Sequence, residues 1–170
     1  MTIDEFWNII DKAKHTQEHE EVVEIIKGEL EKLSEKKLIS YENHFQILFE
    51  QAYIRDLWGA LYLIHGACDD DDFMDFIYKL ISMGKNTYTN AIHNPDSLHN
   101  LEFDDSDIDA LFNEEFASIA VKVYEDKTGD DIYIELDELK STNMGEEWDF
   151  EDKDECMKRL PKITEKFWEE

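Results

Sequence analysis

"RDLWGALYLIHGACDDDDF", residues 55–73, is the stretch on which the fold turns. Leu57, Leu61 and Ile64 recur at helical spacing, and Trp58, Tyr62 and His65 form a second stripe beside them. A helix apolar around so much of its circumference is expected in the middle of a bundle. Gly59 and Ala60 lack bulk and would let a neighbouring helix come close, and Gly66 is placed to end the helix in a left-handed conformation. Asp69 to Asp72 then precede Phe73, Phe76, Ile77 and Leu80, a new helical period that stops at Gly84. Aspartates at a helix start accept its unpaired amides and oppose its positive end, so this run reads as a cap rather than a cation site.

Outward from there the same period continues. Thr2 and Glu5 form a capping box for a first helix whose inner face is Phe6, Ile9 and Ile10. Val22, Ile26, Leu30 and Leu33 mark a second helix from Glu18. Ser34 is placed to cap a third, with the stripe Leu38, Tyr41, Phe45, Leu48 and Ala52. Residues 85–93 continue as helix, and the NPDSL run at 94–98 is a turn signal. An acidic helix is expected from about Asp107 to Lys127. Ile132, Tyr133, Ile134 and Leu136 fit either one short strand or an extended arm. A helix around Asp154 to Leu160 follows, and Pro161 opens a last turn. With only two prolines and six glycines in 170 residues, long helices are favoured over many short strands. The expectation is an all-α single domain over 1–170, a bundle of about six to eight helices.

The formal net charge of -26 is the strongest bulk feature. Residues 102–155 hold 21 Asp and Glu against four lysines, a net of -17. Such a chain is repelled by nucleic acid and by anionic lipid and attracts basic partners over long range. Two cysteines without paired spacing fit a reducing cytosol. The opening MTIDEFWNIIDKAK lacks the basic-then-apolar order of a secretory signal. The longest apolar run, 57–64, is far below the roughly 20 residues that span a bilayer. The expected compartment is the cytoplasm.

Motifs for chemistry are few. His65 and Cys68, with Asp70 beside them, have a spacing that starts a zinc site, but closure needs His93, His99 or Cys156, none of them paired. Asp105, Asp107 and Asp109 imitate a calcium loop, which fails at Ala110 and Phe116; Asp126, Thr128 and Asp130 fail at Asp131. Glu114 and Glu115 are a carboxylate pair of the kind any acidic protein offers. Neither a phosphate-cradling glycine loop nor a nucleophile elbow is present. Trp148, in GEEWDFED, reads two ways: an aromatic anchor for a partner, or a side chain folded back onto the bundle.

The run from Asp56 to Ile64, then Gly66, Cys68, Asp70, Phe73, Phe76, Leu80, Ile81 and Gly84, and PDSL at 95–98, resembles an uncharacterised bacterial family, domain of unknown function 4240. DEFW near the start, and Trp148-Asp149 followed by LPKI at 160–163, are similar to it as well. The resemblance implies a bacterial source and a mostly helical fold; it implies no activity. Non-catalytic binding of a basic protein is the leading expectation, for example as an immunity or inhibitor protein for a cationic toxin. Glu146, Glu147, Trp148, Asp149, Asp104, Asp105 and Asp107 are the candidate contacts, with no cofactor. The alternatives are a metal-dependent enzyme near His65, Cys68 and Asp69 to Asp72, and a scaffold whose charge only keeps it soluble.

Overall fold

A computed structural model describes residues 1–16, 18–101, 114–140 and 142–168. Helices α1 (Ile3–Ile10), α2 (His19–Leu30), α3 (Glu35–Ala52), α4 (Arg55–His65), α5 (Asp70–Ser82) and α6 (Lys85–His93) come first. A 3₁₀ turn (Pro95–Asn100), α7 (Glu114–Ala117) and α8 (Ile119–Thr128) follow. A second 3₁₀ turn (Ile132–Glu135), α9 (Lys153–Arg159) and α10 (Pro161–Phe167) complete the chain. Among the described residues there is no strand, and seven helices reach eight residues or more. The fold is all-α. Residues 132–136, expected as a strand or an extended arm, begin instead as the second 3₁₀ turn, in which Ile132 alone is buried.

The helix starts follow their side chains. Glu5 N–H donates to Thr2 Oγ1 at 3.2 Å and Thr2 N–H to Glu5 Oε2 at 2.7 Å, the reciprocal box expected for α1. Asp69 and Asp72 exchange the same pair of bonds, both at 3.0 Å, so the aspartate run opens α5 as a cap. Ser34 occupies the cap position of α3 but its hydroxyl makes no capping bond there. Gly66, at φ 84, closes α4 in the left-handed region, with its N–H on Tyr62 O at 2.8 Å.

One hydrophobic cluster runs from Phe6 to Ile163. On one side α8 packs on α2 and α3; on the other, α10 packs on α9, α4 and the first 3₁₀ turn, and α5 reaches both α3 and α4. Every member of the expected α3 stripe is buried. Helix α4 departs from expectation: Leu57, Ala60 and Leu61 are buried, but Trp58, Tyr62 and Ile64 are half-buried and His65 is exposed. One side of it is thus partly open to solvent, and the space at Gly59 is taken by aromatic rings from later in the chain. A Cβ there would meet the ring of Trp148, more than eighty residues later, and Phe150 Cε1 at 3.0 Å. The acidic helix expected from Asp107 is described only from Glu114, and it breaks at Ser118 into α7 and α8.

Asp96, in the PDSL run, is buried, and its Oδ1 accepts from Lys162 N and Ile163 N at 3.0 Å each. Two stretches far apart in sequence are thus joined. The carboxylate supplies the amides of the first turn of α10, where Pro161 contributes none.

Candidate functional site

The described residues of 129–152 form an acidic arm, irregular apart from the second 3₁₀ turn, between the end of α8 and the start of α9. Its second half is fastened to α4. Arg55 N–H donates to Met144 O at 2.8 Å, and Arg55 Nη2 to Trp148 O at 2.9 Å. The Arg55 guanidinium lies 3.9 Å from the centre of the Phe150 ring, a cation–π contact. Trp148 is 7% exposed; its Nε1–H donates to Asp56 Oδ1 at 2.9 Å, and its ring meets Phe150 edge-on at 4.7 Å. The tryptophan is therefore folded onto the bundle, as the second of the two readings had it, and no exposed anchor stands at 148. Gly59 explains the fit, because any side chain there would occupy the space of the indole.

The candidate contacts around it are arranged unequally. Glu146 is exposed but accepts from Arg159 Nη2 at 2.6 Å, and Arg159 also pairs with Asp56 at 3.2 Å and Glu155 at 3.3 Å. Glu147 and Asp149 are exposed. Asp149 Oδ1 accepts from Glu151 N at 2.9 Å, a turn contact within the arm. Asp104, Asp105 and Asp107 lie outside the described residues.

The first half of the arm is different. Asp137 N–H donates to Asn43 Oδ1 at 2.9 Å, and Thr142 Oγ1–H to Glu50 O at 2.6 Å. Between these ties and α8, Tyr133 and Ile134 stand 57% and 79% exposed. Exposed carboxylates flank them: Asp130, Asp131, Glu135, Asp137 and Glu138.

Beneath this half lies a cavity of about 220 Å³ between α3, α5, α7 and the arm. Phe45, Phe49, Tyr78 and Tyr133 contribute aromatic walls, and Glu42, Gln46 and Glu50 the polar groups. Glu42 is 3% exposed. One of its oxygens accepts from Gln46 Nε2 at 3.2 Å, while Oε2 has no hydrogen-bond partner. Burial raises its carboxyl from the usual 4.5 to about 7, against the opposing bond from Gln46. Sequence reasoning passed over Glu42, although the signal was present: it stands four residues after Leu38 and three before Phe45, on the apolar side of α3.

The proposed metal residues do not converge. His65 is exposed, its Nδ1 2.7 Å from Ala67 O. Cys68 is half-buried, and burial together with Asp72 and Asp69 pushes its thiol up to about 12. Asp70 accepts a hydrogen bond from the Tyr53 hydroxyl. Among the described residues no group of three His, Cys, Asp or Glu side chains is placed to hold a metal ion. His65 borders an open cleft of about 630 Å³ with Tyr62, Phe150, Lys166 and Trp168, and Cys68 is not part of it. No helix among the described residues is long and apolar enough to cross a membrane.

A family model described as a protein of unknown function, DUF4240, matches residues 1–126. The match covers α1 to most of α8 and ends before the arm, Trp148 and the LPKI run. No curated protein and no solved structure matches the chain.

Proposed function

The chain belongs to the DUF4240 family, whose function is unknown, and from that premise we propose that it is a non-catalytic binding module for a basic protein. The supporting observation is the pair Tyr133 and Ile134, 57% and 79% exposed in a setting of exposed carboxylates. Large apolar side chains left in water contribute affinity when a partner covers them, and the surrounding charge steers and selects a basic one. Glu147 and Asp149 extend the acidic rim toward the fastened half of the arm, and Glu146 joins it beyond its pair with Arg159. Asp104, Asp105 and Asp107 add to the same charge by sequence alone. Trp148 serves this surface by holding the arm down rather than by touching the partner. A nuclease-type toxin with a phosphate-binding groove has the matching chemistry, because carboxylates can take the places of phosphates.

The test is capture from an extract of the source cells on the immobilised protein at low salt, with retained proteins identified by mass spectrometry. A basic protein should be retained at about 50 mM salt and released by about 300 mM, as screening shortens the reach of exposed charges. The same protein should be lost from a column carrying Tyr133→Ser and Ile134→Ser. Retention of no basic protein, or retention unchanged by the double variant, overturns the reading.

A further inference from the structure

The cavity below Tyr133 carries an unbalanced charge pattern. Glu42 and Glu50 line it, and no lysine, arginine or histidine is among its described lining residues. Burying a carboxyl group without a counter-charge is costly, and sites that do so are usually completed by a ligand or used as a titrating group. Glu42 is more than nine-tenths buried, and its Oε2 is left without a partner. Phe45, Phe49, Tyr78 and Tyr133 form the walls, and aromatic faces attract cations. Two acidic lining residues and an aromatic wall favour a cation on an apolar stem over an anion or a neutral polar group. The volume of about 220 Å³ fits a short chain of that kind.

We propose that this cavity binds a primary ammonium group carried on an alkyl stem, with Glu42 as its counter-ion and Glu50 at its side. A lysine side chain of the basic partner and a free alkyl amine share this chemistry. Tyr133 belongs both to the cavity and to the exposed pair, so a partner covering the pair is placed to send a lysine inward. That last step rests on the binding reading above; the ammonium site itself does not.

The experiment is a titration of the full chain with n-butylammonium, followed by NMR. Parallel titrations use Nα-acetyl-lysine N-methylamide and n-butylguanidinium. At pH 8, n-butylammonium should bind, and Glu42→Gln should weaken it at least roughly tenfold, because it removes the charge and keeps the shape. With the carboxyl raised to about 7, wild-type affinity should fall as the pH drops from 8 to 6. This pH series needs no variant, so the test survives a poorly folded Glu42→Gln. Binding of the lysine amide as tightly as the butyl amine assigns the site to a protein side chain; binding of the butyl amine alone assigns it to a free amine. No binding of either amine, tighter binding of the guanidinium, or binding indifferent to both Glu42→Gln and pH overturns the proposal. Butylammonium binding without any captured basic protein would sink the docking reading alone.

Discussion

The two halves of the arm are both acidic and are held to the bundle very differently. In 144–152, Trp148 and Phe150 are buried, Arg55 reaches two backbone carbonyls, and Arg159 gathers three carboxylates. Among the described residues of 129–143, Ile132 is buried, Tyr133 and Ile134 stand largely in water, and two hydrogen bonds reach back to α3. Acidity does not separate them, since both carry exposed Asp and Glu. The difference lies in what the bundle offers opposite. Helix α4 presents Gly59, a space shaped for an indole, and Asp56, an acceptor at the right height for its N–H. Helix α3 presents Glu42, a carboxylate that an apolar side chain cannot satisfy. A tryptophan settles where its polar edge finds a partner, whereas in the other half Ile132 reaches the core and its neighbours Tyr133 and Ile134 do not.

The sharpest way to break this comparison is at Trp148. Trp148→Ala should destabilise the protein by about 3 kcal/mol, from lost burial and a lost bond to Asp56, as read by urea denaturation. Gly59→Ala alone should also destabilise, because its methyl group collides with the ring. In the Trp148→Ala background the same change should cost clearly less, because only Phe150 Cε1, at 3.0 Å, is left to give way. Additive effects in this cycle would show that Gly59 and Trp148 are not a fitted pair.

Glu42 gives the next largest effect, and its sign follows from linkage. Its carboxyl is raised to about 7 in the folded chain from 4.5, so the native state holds the proton more tightly than the unfolded one. The stability this confers is fully present below about pH 4.5 and is lost as the pH rises through about 7. Wild type should therefore lose about 2 kcal/mol relative to Glu42→Gln between about pH 5 and 7. Comparing the two proteins cancels the opposite trend from ion-paired acids such as Glu29, whose carboxyl Lys12 and Lys32 hold below its usual value. Parallel stability curves would show that Glu42 titrates as an ordinary surface acid.

Much of the helical frame was legible because its causes are local. The boxes at Thr2–Glu5 and Asp69–Asp72 and the left-handed Gly66 each depend on residues within one turn. The α3 stripe was legible by period alone. What stayed hidden was set by distant contacts. Asp96 looks like an ordinary turn residue until the amides of α10 arrive 66 and 67 positions later. Gly59 looks like a helix-packing glycine, because nothing near it announces an indole from the arm. Glu42 was the readable omission: a carboxylate among Leu38, Tyr41 and Phe45 is a conflict between pattern and chemistry, and such conflicts mark sites more often than errors. The break at Ser118 and the 3₁₀ turn at 132–135 carry no comparable local signal.

The smallest expected effect on stability is also the most informative about binding. Replacing both Tyr133 and Ile134 by serine should change the free energy of unfolding by no more than about 0.5 kcal/mol, because exposed side chains remove little surface from water on folding. Ile134→Ser alone should be neutral; Tyr133→Ser carries whatever small cost arises, since part of that ring walls the Glu42 cavity. Urea denaturation separates the two variants. A protein that tolerates both changes in isolation and loses its basic partner with them has kept these side chains in water for an interface. A loss of 2 kcal/mol or more would mean that this half of the arm is fastened as firmly as the half around Trp148, and the contrast between them would disappear.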